Sequence, residues 1–188
     1  MAYDLEDVKV LIVEDMPLMA SLLRSVLYIF GFKNIIVARD GIEGFEKFCR
    51  HNPDMVITDW VMSPGNGIDM IHRIRNDDLS PNPYVPIILT SGYSERARVE
   101  VARDKGMTEF LAKPYKTIDL YQKIVWVIEK PRCFISANSF FGPDRRRRKA
   151  ANYQGPFRRD GDQSSRGARS NGINDPGDIV FEESKTTI

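Results

Sequence analysis

The chain has 188 residues, 42% of them apolar, and a formal net charge of +1. That length holds one ordinary domain with a remainder, and the apolar fraction is ample for a single core. No apolar stretch reaches the roughly 20 residues of a membrane helix, and the opening MAYDLEDVKV is acidic where a signal peptide is basic. A soluble, cytoplasmic protein without membrane insertion is expected. Cys49 and Cys133 lack CxxC spacing and a histidine cluster, which excludes a disulfide framework and a zinc site.

The near-neutral total conceals a division. Residues 1–130 carry 16 Lys and Arg against 19 Asp and Glu, whereas residues 131–188 carry 11 against 7, so the net charges are −3 and +4. In the first region five short runs, VKVLIV, NIIVA, DMVIT, VPIILT and TEFLA, are almost continuously apolar. Runs of that length and composition suit parallel strands buried on both faces. Between them the apolar residues take helical spacing: Leu18 to Phe30, then Ile42, Phe45 and Phe48, then Ile68, Ile71 and Ile74. A fourth helix is expected over Ser94–Lys105 with only a thin stripe of Ala97, Val99, Val101 and Ala102, which makes it a candidate moving part. Leu120, Ile124, Val127 and Ile128 mark the fifth. Gly31, Asn52 with Pro53, the proline-rich stretch 76–86 and Gly106 supply the stops. Strand and helix alternating five times is the signature of a doubly wound α/β sheet.

The carboxyl ends of the strands carry the chemistry. Glu14 and Asp15 close the first, Asp59 ends the third, Thr90 ends the fourth and Lys113 follows the fifth. In such a sheet these ends converge on one edge. A phosphate-binding loop there would offer glycines and backbone N–H groups, whereas adjacent carboxylates repel a bare phosphate and attract a hard cation such as magnesium. Asp59 can then serve as ligand and nucleophile, because a carboxylate forms an aspartyl phosphate when a cation neutralises the transferring group. Lys113 and Thr90 provide further donors. Taken singly, each residue has an ordinary structural role: Asp15 and Thr90 as helix caps, Phe110 as core, Lys113 as surface. His51 and His72 are read as structural. Trp60 either lines the cleft or shields it.

VLIVED, DWVMSPGNG beginning at Asp59, LTSG containing Thr90, and EFLAKP containing Lys113 resemble, in order and spacing, the receiver domain of bacterial two-component response regulators. The resemblance covers about residues 5–130, leaving 131–188 as a basic tail. It implies a flavodoxin-like five-stranded sheet in the order 2-1-3-4-5, which general accounts of this fold give for a receiver. It also implies that Asp59 accepts a phosphoryl group from a phosphohistidine on a histidine kinase or phosphotransfer protein. By the same resemblance Asp15, Asp59 and the backbone carbonyl of Val61 ligate Mg2+, with Glu14 assisting through water. Lys113 pairs with a phosphoryl oxygen, Thr90 hydrogen-bonds it, and Phe110 is the aromatic switch. A cis Lys113–Pro114 bond is implied too. A phosphorylation-dependent homodimer and a changed face of helix four, strand five and helix five belong to the same expectation.

The chain departs from the family in three places. Ser63 replaces the usual proline after Met62, with Pro64 one place later, although Gly67 keeps its offset from Asp59. Phe110 lacks the hydroxyl of a tyrosine, which excludes any output that reads a phenol. Val61 and Gly92 cannot position an attacking water through a polar side chain, which inclines the reading toward a long-lived phosphoryl state. Val61 also stands where a metal-dependent phosphohydrolase of the haloacid-dehalogenase kind needs a second aspartate, so that enzyme is disfavoured. A phosphate relay or sink is the alternative to a signalling switch.

From Pro131 onward the helical and strand periods vanish and Gly, Ser, Asn, Arg and Pro dominate, so disorder is expected from about residue 135. About 58 residues without helical periodicity exclude a helix-turn-helix output domain. Arg145, Arg146, Arg147, Arg148 and Lys149, with Phe140, Phe141, Tyr153 and Phe157 nearby, make three readings available. They are a solvated linker, a docking motif for an unknown protein partner or the receiver's own acidic cleft, and, less favoured, a nucleic-acid binder. DIVFEESK around Ile179, Val180 and Phe181 is a candidate docking peptide.

Overall fold

The computed structural model describes residues 3–92, 96–137 and 140–144. The five apolar runs form β1 (Lys9–Val13), β2 (Asn34–Ala38), β3 (Met55–Asp59), β4 (Ile87–Ser91) and β5 (Glu109–Ala112). All pair in parallel, in the order β2-β1-β3-β4-β5. The doubly wound sheet in the order 2-1-3-4-5 is therefore present. β4 is buried throughout, and β1 and β3 are buried except at one end, whereas β2 and β5 stand at the edges and are partly covered. That gradient explains why the inner strands read as unbroken apolar runs.

Five helices link the strands: α1 (Pro17–Ile29), α2 (Gly41–His51), α3 (Gly67–Asn76), α4 (Arg96–Asp104) and α5 (Thr117–Glu129). Local chemistry sets their ends. Proline occupies the first turn of α1, where its missing N–H is not needed. The Asp40 carboxylate accepts from the N–H groups of Ile42 and Glu43 at the start of α2, and Asn52 closes that helix in the left-handed region at φ 42°. Asn66 caps α3 through the N–H of Asp69. The sheet separates two apolar clusters. Phe45, Phe48, Met70, Ile71, Ile74 and Ala102 from α2, α3 and α4 fill one face. Leu23, Leu27, Leu120, Ile124 and Val127 from α1 and α5 fill the other. Among the described residues of α4, only Ala102 is fully buried, in keeping with its thin apolar stripe. Expected residues 94 and 95 of that helix lie outside the described residues.

The sequence reading is corrected after α5. Disorder was expected from about residue 135, yet β6 (Phe134–Ala137) and β7 (Phe140–Pro143) form an antiparallel pair. A two-stranded hairpin is marginal alone, so its order depends on what it packs against. Tyr84, in the loop before β4, meets the rings of Phe134 and Phe141 with centroids 5.1 and 5.3 Å apart. Beneath them Arg75 of α3 is buried, donates to the carbonyls of Gly106 and Pro83 at 2.9 and 2.6 Å, and stacks on Phe134. Burial pushes the Arg75 pKa down to about 9, which still leaves it charged at neutral pH. A Cβ on Gly142 would come within 3.0 Å of the Gly106 backbone, so the hairpin lies directly on the turn before β5. Arg132, between α5 and the hairpin, binds Glu109 at the start of β5. Met1–Lys149 is one compact unit. Residues 145–188, including the arginine run and all of the second unit Ala150–Ile188, lie outside the described residues.

Glu109 is the electrostatic anchor of this extension. Burial alone would raise its pKa, but the hydrogen bond from Lys123 and the charges of Lys123 and Arg132 outweigh burial and hold the carboxyl below its ordinary 4.5. The stability it contributes is full above about pH 4.5 and is lost as the pH falls through the lowered native value. Urea titrations across the acid range should show Glu109→Gln with a flatter loss of stability than the parent. In the same assay at neutral pH, Phe141→Ala should cost about 1–3 kcal/mol, the scale of a half-buried aromatic leaving a ring cluster.

Candidate functional site

The sheet register brings the charged strand ends together. Val13 pairs with Thr58 and Asp59 pairs with Thr90, so Glu14, one step beyond β1, stands beside the end of β3. The N–H of Glu14 donates to Ala38 at 3.0 Å and that of Lys113 to Ser91 at 2.7 Å, which carries the sheet's hydrogen bonding into the first loop residues. Backbone bonding thus extends past the strand ends to the residues that carry the charged side chains.

Lys113 crosses this edge. Its Nζ lies 2.9 Å from Glu14 Oε2 and 3.1 Å from Asp59 Oδ2. The Trp60 N–H donates to Asp59 Oδ1 at 2.8 Å. Glu14 is only 5% exposed, and its Oε1 is buried with no hydrogen-bond donor among the described residues. Carboxylate oxygens of Glu14, Asp15 and Asp59 all lie within 4.8 Å of one another. Three carboxylates against one ammonium leave a local charge of about −2, and a buried acceptor without a donor is costly. That donor set fits a hard divalent cation held by oxygen ligands. Burial alone would lower the Lys113 pKa, but the Glu14 hydrogen bond and the Asp59 charge outweigh it and raise the value above 10.5. The ammonium is thus fully charged at neutral pH.

The loop after Asp59 is shaped around it. Gly67 N–H donates to the Trp60 carbonyl at 2.9 Å, and a Cβ on Gly67 would lie 1.9 Å from the Asp59 carbonyl oxygen. Only glycine fits there, which explains why Gly67 holds its offset although Ser63 and Pro64 depart from the family pattern. Both Ser63–Pro64 and Lys113–Pro114 are cis, the second as the resemblance implied. Val61 is 55% exposed, two residues after Asp59. A Cβ on Gly92 would meet open space.

Thr90 is buried and its hydroxyl donates to the Thr58 carbonyl at 3.3 Å. Phe110 is half-buried against the α2, α3 and α4 cluster. The structure thus brings Glu14, Asp15, Asp59 and Lys113 into one constellation, with Thr90 at the next strand and Phe110 along β5. The reading of residues missed the Trp60 N–H, which no side-chain pattern reveals. It also missed Tyr115, whose phenol burial pushes up in pKa and which lines a groove beside Lys113. An aromatic residue two places after the site lysine was the available signal.

A parallel sheet whose carboxyl edge gathers three carboxylates and a lysine repels a bare nucleotide phosphate and suits a hard cation. Residues 10–125 match the response regulator receiver domain family, and the chain belongs to it. It is 27% identical to Chemotaxis protein CheY-3 of Vibrio cholerae over 125 residues, 66% of this chain and 95% of the relative. Chemotaxis protein CheY1 of Helicobacter pylori is 29% identical over 64% of this chain and 96% of its own. Among solved structures, the N-terminal domain of an uncharacterized Wolinella succinogenes protein superposes with a TM-score of 0.57 at 31% identity, covering 65% of this chain and 94% of its own. CheY4 of V. cholerae superposes at 0.59 with 22% identity over 64% and 98% and bears on the fold alone. No helix among the described residues is long and apolar enough to cross a membrane.

Two substitutions separate stability from site chemistry. Asp15→Asn relieves like-charge repulsion and should raise the melting temperature in magnesium-free buffer by roughly 2–4 °C, measured by calorimetry. Gly67→Ala forces the loop off the Asp59 backbone and should cost about 1–3 kcal/mol in a denaturant titration.

Proposed function

We propose that this protein is a stand-alone response regulator whose Asp59 accepts a phosphoryl group from a phosphohistidine on a histidine kinase or phosphotransfer protein. The observation that carries the reading is the Lys113 ammonium lying 2.9 Å from Glu14 and 3.1 Å from Asp59 beside an unpartnered Glu14 oxygen. In the reaction an Asp59 oxygen forms the new O–P bond while the P–N bond of the donor breaks and the electron pair returns to the imidazole. Lys113, already poised on Asp59, meets the charge that builds on the transferring oxygens. Asp15, Asp59 and the Val61 carbonyl would hold Mg2+, with Glu14 acting through water. The cation supplies the neutralisation that lets an anionic donor approach a carboxylate.

Thr90 and Phe110 are the readout in this proposal: Thr90 turns from the Thr58 carbonyl to the phosphoryl group and Phe110 follows. The signal then leaves by protein–protein contact in the cytoplasm, through the α4, β5 and α5 face or a homodimer. An apolar groove of about 440 Å³, lined by Met19, Leu22, Val26, Tyr115 and Leu120, opens beside Lys113 and suits a donor helix. The exposed Val61 and the open space at Gly92 offer no polar group to an attacking water, which supports a persistent phosphoryl state. They also speak against a phosphohydrolase, whose acid would stand at Val61. The arginine run 145–149 is proposed as part of the output and not of the phosphoryl chemistry.

Incubation with acetyl phosphate and magnesium, followed by intact mass, should add one phosphoryl group to the parent and none to Asp59→Asn. Sustained phosphate release from ordinary monoesters would support the hydrolase instead. Because the hairpin belongs to the fold, the truncation that tests the tail ends at residue 144: it should keep phosphorylation and lose output in a complementation assay.

A further inference from the structure

Thr58 stands one residue before Asp59 in β3, fully buried between Val13 of β1 and Leu89 of β4. Valine would fill such a position without a polar atom, since burying a hydroxyl is costly unless it is hydrogen-bonded. The Thr58 hydroxyl meets that need at the carbonyl of Asp59, 2.9 Å away. A carbonyl only accepts, so the hydroxyl proton is directed at Asp59. Gly67 closes over this bond: a Cβ there would lie 2.8 Å from the Thr58 hydroxyl oxygen and 1.9 Å from the Asp59 carbonyl oxygen. The hydroxyl and its acceptor thus share a space that only glycine leaves open.

The Asp59–Trp60 peptide is therefore held at both ends. On one side its carbonyl takes the Thr58 hydroxyl. On the other its N–H is shared between the Thr90 carbonyl at 3.0 Å and Asp59 Oδ1 at 2.8 Å. A peptide unit is planar, so a tilt that moves the carbonyl moves the N–H with it. That tilt divides the N–H between the sheet and the carboxylate. With Oδ1 engaged by the N–H, Oδ2 lies 3.1 Å from the Lys113 ammonium. Thr58 also carries the contact of Thr90, whose hydroxyl donates to the Thr58 carbonyl at 3.3 Å.

We infer that Thr58 is a positioning residue for phosphoryl transfer, acting through the Asp59–Trp60 peptide to keep the Trp60 N–H on Oδ1 and the carboxylate aimed at Lys113 and the incoming phosphorus. The inference rests on the reading of Asp59 as the phosphoacceptor. Thr58 itself makes no bond in the reaction. It sets the orientation of the group that does, and small errors in such orientation cost rate.

The test uses the full chain with magnesium and acetyl phosphate, with intact mass followed over time. In this reaction an Asp59 oxygen bonds to phosphorus as the P–O bond to the acetyl group breaks and its electron pair leaves on acetate. Thr58→Val keeps the shape and removes the hydroxyl, whereas Thr58→Ser keeps the hydroxyl and removes the methyl group. Phosphorylation should be at least fivefold slower in Thr58→Val and within twofold of the parent in Thr58→Ser. A packing role predicts the opposite order, because only Thr58→Ser removes buried volume. Amide hydrogen exchange without a phosphodonor supplies a second readout. Trp60 should exchange at least tenfold faster in Thr58→Val and at the parental rate in Thr58→Ser, each measured against Ile57 in the same strand, whose exchange also reports folding. Equal phosphorylation rates in the parent and Thr58→Val, a slow Thr58→Ser, or unchanged Trp60 exchange would overturn the inference and leave the phosphoacceptor reading standing. A parent that gains no phosphoryl group on Asp59 would overturn both.

Discussion

The Lys113 ammonium sits between a buried Glu14 oxygen and the Asp59 carboxylate, and much of the molecule serves to hold that contact. Three carboxylates within 4.8 Å of one another would drive a flexible loop apart. Here they persist because each stands at the carboxyl end of a strand locked in a parallel sheet with apolar packing on both faces. The cost is local and the compensation is global. A site strained by its own charge, with an acceptor left unpartnered among the described residues, is not arranged for maximal stability, and its donor set fits a hard cation.

That arrangement sets the anchoring of the strand ends against that of α4. The carboxyl ends of β1, β3 and β5 are fixed by backbone bonds such as Glu14 to Ala38 and Lys113 to Ser91. α4, by contrast, fully buries only Ala102 among its described residues. Hydrogen-bonded strand ends hold the charged residues, and a lightly anchored helix borders Phe110. The opposite edge carries the Arg75, Glu109 and Arg132 interactions with the hairpin. Two differently charged regions therefore sit at the two ends of the same sheet, acidic where phosphate arrives and basic where the extension attaches.

The sheet order and the acid constellation were legible in the sequence for a physical reason. Strands buried on both faces must be apolar throughout, so Glu14, Asp59 and Lys113 stand out where those runs stop. The hairpin was not legible because FISA and FFGP are short, FFGP carries glycine and proline, and the two hold together through Tyr84 and Arg75, some fifty or more residues earlier in the chain. The apolar spacing of Ile68, Ile71 and Ile74 does not mark Arg75, and only the tertiary fold shows that it is buried under an aromatic ring. The Trp60 N–H is a backbone contribution that no residue pattern encodes.

The most direct measurement is a magnesium titration followed by Trp60 fluorescence in a Trp126→Phe background, since Trp60 adjoins Asp59 and its N–H is bonded to that carboxylate. A saturable change is predicted at millimolar magnesium in the parent and its loss in Asp15→Asn. A flat response in the parent, or a response that survives in Asp15→Asn, would contradict the claim that these carboxylates form a cation-dependent phosphoacceptor site.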